Sequence, residues 1–153
     1  TERNIFNLRV FGIFGKYEDY NRRFISNNIC RALCGQDLSV SKNMYFDYLY
    51  INDFSRILDL FINREVEHRT YNICRGESID LLSLAEIIAE TDGNGLAIEV
   101  IQEGLNREYS GTNMRFLEEF GPFDFTEFED SIGELYRWYK VDSKIKFESS
   151  LFS

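Results

Sequence analysis

The chain has 153 residues, of which 44% are hydrophobic and 16% aromatic, enough for one globular core and too apolar for a disordered chain. Seventeen Lys and Arg against 26 Asp and Glu give a net charge of -9, which argues against nucleic acid or an anionic membrane as the main partner. No apolar run approaches membrane-span length, and three cysteines without metal-ligand spacing, Cys30, Cys34 and Cys74, lead us to expect a reducing, cytoplasmic setting.

In chain order, Ile5, Phe6, Leu8, Val10, Phe11, Ile13 and Phe14 close at Gly15 and predict one buried strand entering a loop. The polar loop KYEDYN follows. Phe24, Ile25, Ile29, Ala32 and Leu33 then predict a helix that stops at Gly35, with Cys30 and Cys34 as packing residues on it. A short strand is expected around LSV, residues 38 to 40. FDYLYI, residues 46 to 51, alternates with a period of two and predicts a strand buried on at least one face. The period then changes. Phe54, Ile57, Leu58 and Phe61 recur at helical spacing to about Asn63, which places Asn52 or Asp53 at the N-cap and makes Asp53 a cap rather than a catalytic carboxylate.

His68 sits in the charged loop REVEHR and is expected to be solvated. TYNIC at 70 to 74 is a short strand before the turn RGES. Ser83 to Glu86 has the form of a capping box ahead of Leu84, Ile87 and Ile88, and residues 97 to 101 form a strand. Residues 113 to 120 predict a short helix. Thr126 to Glu129 repeats the capping box before a closing helix with Phe128, Ile132, Leu135, Tyr136 and Tyr139 on its buried stripe, ending near Lys140. Strands alternate with helices throughout and no repeat or linker divides the chain, so the expected class is a single α/β domain.

The chemistry is sparse. There is no Gly-x-Gly-x-x-Gly or Walker-type turn, no metal-ligand grouping, and a single histidine. The acidic run from Glu118 to Glu134 has the pattern of solvated helix faces. The basic residues say more: Lys16, Arg22, Arg23 and Arg31 follow the first strand, Arg75 follows a strand end, and Arg107 and Arg115 flank a turn. Loops after strand ends are where open α/β sheets bind ligands, and Arg forks suit phosphate. The plainer alternative is that each arginine only solubilises an acidic surface.

The order LRVFGIFG, a helix ending ALCGQ, FDYLYINDF, YNICRGESIDLLSLAEIIAE and a terminal ELYRWY resembles the C-terminal half of an extended short-chain dehydrogenase/reductase of the NAD-dependent epimerase/dehydratase family. The similarity covers nearly all of the chain. It implies the C-terminal part of a Rossmann-type fold, with residues 1 to 153 as one nucleotide-sugar-binding portion. The NAD(P)-binding part and the catalytic Tyr-x-x-x-Lys pair would lie upstream of Thr1, so this chain alone is expected to bind no cofactor and to carry no catalytic residue. Tyr136 and Lys140 match the Tyr-x-x-x-Lys spacing, but they lie in the closing amphipathic helix and are rejected as catalytic. The opening on Thr1 rather than Met likewise reads as a fragment or a processed product.

FDYLYINDF resembles the family's Arg-Asp-Phe-x-Tyr-Val-x-Asp stretch, whose final Asp caps a helix. Phe46 stands where many members have an Arg that meets the substrate diphosphate. Gly12 replaces the Asn of Phe-Asn-x-Tyr-Gly, Lys16 replaces the Pro after it, and Cys74 replaces a Gly in Tyr-Asn-Ile-Gly-x-Gly-Glu, leaving Gly76 for the turn. The change at Phe46 either removes the phosphate contact or moves it to Arg22, Arg23 or Arg107. The resemblance implies a nucleotide-linked sugar as partner, bound by Arg22, Arg23, Phe24, Asn27, Leu38, Val40, Arg107 and Arg115. It also implies that the missing Rossmann portion leaves Leu8, Val10 and Phe11 open to self-association. The competing function is a binding or interaction module derived from the family and without catalysis.

Overall fold

A computed structural model of the chain describes residues 5–142. In chain order these form β1 (Asn7–Val10), β2 (Gly12–Phe14), α1 (Phe24–Leu33), β3 (Leu38–Asn43), β4 (Tyr45–Phe46), β5 (Tyr48–Tyr50) and α2 (Ile51–Asn63). There follow β6 (Thr70–Ile73), β7 (Ile79–Asp80), α3 (Leu81–Asp92), β8 (Ile98–Leu105), α4 (Met114–Phe120) and α5 (Phe128–Arg137), which runs on into a π-helical turn, Trp138–Asp142. The strands pair two by two: β1 with β6, β2 with β5 and β3 with β8 in parallel, and β4 with β7 antiparallel. The expected α/β class is the observed one.

The opening segment is two strands rather than one. Its partner changes at Phe11, whose N–H donates to the Ile73 carbonyl at 3.0 Å and closes the β1–β6 ladder before β2 turns to β5. Nor is β1 buried, since Asn7, Arg9 and Val10 are all exposed. The aromatic strand also splits, at Asp47. That residue is fully buried, and its carboxylate accepts the N–H groups of Arg75 at 2.8 Å and Gly76 at 2.9 Å. Gly76 has φ +83 and an added Cβ would stand 2.7 Å from Asn113 Oδ1, so this turn does use the glycine that the sequence leaves for it.

Strand β5 separates two cores. Its alternation sends Leu49 to one side, among Ile57 and Phe61 of α2, Tyr71 and Ile73 of β6, and Phe116 of α4. Tyr48 and Tyr50 go to the other, among Phe14, Leu38 and Val40 and the buried faces of α1, α3 and α5. A strand with apolar neighbours on both faces is what a parallel α/β sheet requires.

Three helix starts differ from expectation. Helix α2 begins at Ile51 with Tyr50 as N-cap, and Asp53 is the third residue of the first turn instead of the cap. Its buried carboxylate accepts the Thr126 N–H at 2.9 Å, the Thr126 hydroxyl at 2.8 Å and Arg56 Nη1 at 3.0 Å. Asp53 is structural, then, but as a tie to the segment before α5. Thr126 is thereby used, and α5 starts from Glu127 without a side-chain cap. Helix α3 begins two residues before Ser83, capped by Asp80, which accepts the N–H groups of Leu82 and Ser83. Helix α1 ends at Leu33 with Gly35 just beyond, as its stripe predicts.

Candidate substrate-binding cleft

Strands β2 and β5 end side by side, and the loop from Gly15 to Arg23 leads from β2 into α1. Against them lies the segment after β8, residues 106 to 110. Backbone bonds hold it there: Tyr109 N–H to the Tyr45 carbonyl at 3.0 Å, Asp47 N–H to the Tyr109 carbonyl at 2.9 Å, and Asn106 N–H to the Asn43 carbonyl at 2.8 Å. Ring stacking adds to this. Phe46 stacks with Tyr48 at 4.4 Å and meets Tyr109 at 4.8 Å, and Tyr109 meets Phe11 at 5.4 Å, a row of four rings.

Between these elements opens a cleft of about 830 Å³ whose walls include Phe11, Gly12, Arg23, Phe46, Arg107 and Tyr109. A recess of about 220 Å³ shares Gly12, Ile13, Arg23 and Phe46 with it and adds Glu18, Arg22, Phe24 and Tyr48. A Cβ on residue 12 would stand 2.1 Å from Phe46 Cε1. Gly12 and Phe46 are therefore one change in two places: the ring takes the room that a side chain at 12 would need. This coupling joins two departures that looked separate in the sequence.

The expected site residues are distributed unevenly. Arg23 and Arg107 are both exposed on the wall of the main cleft, and among the described residues neither guanidinium has a hydrogen bond or ion pair. Glu108, on the same cleft wall, forms no ion pair with either among the described residues; its carboxylate accepts from the hydroxyls of Ser78 at 3.1 Å and Ser110 at 2.6 Å. Arg22 lines the recess and lies 3.6 Å from Asp19 in an exposed pair. Phe24 lines the recess and packs on the first core. Asn27 is turned to its own loop, donating to the Tyr20 carbonyl at 3.0 Å. Leu38 and Val40 are wholly buried core side chains. Arg115 lies apart, in a groove with Arg9 beside β1 and β6, and donates to the Thr70 carbonyl at 2.6 Å. The structure thus brings Arg22, Arg23, Phe24 and Arg107 together and leaves Asn27, Leu38, Val40 and Arg115 out of the cleft walls.

Two recess residues escaped the sequence reading. Burial pushes the Glu18 carboxyl above its ordinary value, although the Ser26 hydroxyl, the Gly15 N–H and the Arg23 charge all pull it down. Burial also raises the Tyr48 phenol, with Glu18 adding to the shift and Arg23 opposing it. Nothing in the sequence spacing marks either residue, because the loop and β5 meet only in the fold.

The strand-to-helix segment from Gly15 to Arg23 holds one glycine among bulky polar side chains, where a pyrophosphate cradle needs close backbone approach at a helix start. The Tyr136 hydroxyl donates to Asp92 Oδ1 at 2.6 Å, and Lys140 Nζ lies 5.8 Å from the centre of its ring. Among the described residues no cluster of three or more His, Cys, Asp or Glu could hold a metal, and no helix is long and apolar enough to cross a membrane.

Fold and sequence point to the same class. Residues 1–74 match the model of the NAD dependent epimerase/dehydratase family, and the chain as a whole has the Rossmann-type α/β fold seen in extended short-chain dehydrogenase/reductases. Among solved structures it is similar to a dTDP-glucose 4,6-dehydratase from Bacillus anthracis in complex with NAD, with 23% identity over 87% of this chain and 43% of that one and a TM-score of 0.73. It is also similar to a UDP-glucose 4-epimerase from Thermotoga maritima with UDP-glucose, with 17% identity over 87% and 45% of the two chains and a TM-score of 0.72. A GDP-L-fucose synthetase from Naegleria fowleri matches with 18% identity over 88% and 45% and a TM-score of 0.75. The chain therefore spans less than half the length of these proteins.

Proposed function

We propose that the chain is the substrate-binding portion of an NAD(P)-dependent nucleotide-sugar epimerase, dehydratase or reductase, and that the diphosphate of the sugar nucleotide lies across Arg23 and Arg107. One observation carries this: in a protein of net charge -9, two guanidinium groups that make no hydrogen bond or ion pair among the described residues line a single cleft. Each has donors available for charge-assisted, bidentate bonds to phosphate oxygens, and the Arg23 charge also acts on the Glu18 carboxyl in the recess. The dTDP-glucose, UDP-glucose and GDP-L-fucose named for the similar structures support the same substrate class. The redox chemistry belongs to NAD(P) in the parent enzyme, held by parts other than this chain, so the 153-residue chain by itself turns over no sugar nucleotide. Its further partners are the Rossmann portion of the parent and, through the free edge of β1, a second copy of itself.

Calorimetric titration with UDP-glucose, dTDP-glucose and GDP-mannose tests the assignment. Arg23→Ala and Arg107→Ala should each weaken the best of these ligands by about 1.5 to 3 kcal/mol, while Arg115→Ala leaves it unchanged. Unaltered affinity in both cleft variants, or no binding by the unmodified chain, overturns it.

A further inference from the structure

Within that cleft, and resting on its assignment to a sugar nucleotide, we propose that Glu18 and the Tyr48 hydroxyl read the hydrogen-bond donors of the ligand ring that enters the recess beside Arg23. The recess is lined by the aromatic side chains of Phe24, Phe46 and Tyr48, and by one carboxylate, Glu18. That combination suits a flat or chair-shaped ring whose faces are apolar and whose edge carries O–H or N–H groups.

Glu18 has capacity to spare. The Ser26 hydroxyl donates to Oε1 and the Gly15 N–H also donates to the carboxylate, while an ionised carboxylate offers about four acceptor sites on its two oxygens. Tyr48 is half-buried, and among the described residues no hydrogen bond reaches its hydroxyl. Both groups therefore line the recess with hydrogen-bonding capacity that a ligand ring can use. Arg23 stands where recess and main cleft join, so a diphosphate held there points the ring at one of its ends into the recess.

The donors have two possible sources in one ligand: the hydroxyls of the sugar, or the N–H edge of the base. Glu18→Gln and Tyr48→Phe distinguish them when titrated with UDP, UDP-glucose, GDP and GDP-mannose. Gln keeps an oxygen for Ser26, so the loop tether survives, while the charge and an acceptor are lost. Circular dichroism and thermal melting check that both variants fold. A loss of about tenfold with the sugar-linked ligands alone assigns the recess to the sugar, and a similar loss with GDP or UDP themselves assigns it to the base; either outcome supports the proposal. If both variants bind all four ligands as the unmodified chain does while Arg23→Ala and Arg107→Ala weaken them, the recess proposal is wrong and the cleft assignment stands. If the arginine variants also have no effect, both are wrong.

Discussion

Asp53 ties α2 to Thr126, 73 residues further along and just before α5, and its removal strands two donors of Thr126 at once. Asp53→Ala should cost about 1 to 3 kcal/mol, seen in urea unfolding as a lower midpoint with an unchanged slope. A change below about 0.5 kcal/mol would show that the Thr126 groups find other partners. The Gly12–Phe46 contact makes a different prediction at the same scale. Gly12→Ala forces a Cβ into the Phe46 ring at 2.1 Å and should destabilise by about 1 to 3 kcal/mol. In a Phe46→Ala background the same substitution should cost less, the contact with the Asp47 carbonyl at 2.9 Å remaining, so the double-mutant cycle is non-additive. Additive costs would mean that the ring does not exclude the side chain.

Among the elements, α3 shows most directly how a helix start answers to pH. Burial would raise the Asp80 carboxyl, but hydrogen bonds from the Ser83 hydroxyl, the Asn43 amide and the N–H groups of Ser83 and Leu82 outweigh it, and its value lies below the ordinary one. A carboxyl depressed in the folded state stabilises above its unfolded value, about 3.9, and that stability is lost as pH falls through the folded value. Asp80→Ala should cost about 0.5 to 2 kcal/mol at pH 7 and much less in acid, which urea unfolding at several pH values would measure. An equal cost at every pH would contradict a charged cap. Strand β5 teaches a different lesson. Its alternation was plain in FDYLYI, but alternation alone does not tell a strand with one dry face from one set between two cores, and Asp47 looked like any other polar position until the turn at Arg75 and Gly76 was found to use it.

For the whole molecule, β1 has β6 on one side and no strand on the other among the described residues, with Ile5 67% and Val10 36% exposed. An unpaired edge of this kind is a template for a second chain, and the net charge of -9 opposes the pairing by repulsion that salt screens. The expected outcome is a dimer by light scattering, favoured by added salt and lost in Val10→Lys, with amides of residues 7 to 10 protected from exchange. A monomer at all salt concentrations with residues 5 to 11 unprotected would rule this out.

The sequence by itself determined the α/β alternation, the positions of α1, α2 and α4, and the turn at Gly76. These follow from local physics, since the switch between periods of two and 3.6 and the backbone freedom of glycine act within a few residues. Only the tertiary structure decided that the first strand divides at Phe11, that Asp53 ties rather than caps, that Asp80 rather than Ser83 starts α3, and that Arg23 and Arg107 share a cleft from which Arg115 is remote. Apolar periodicity states which side chains must leave water but not which partners receive them. A carboxylate or guanidinium takes its role from the donors and acceptors that folding brings within about 3 Å, and those come from distant parts of the chain.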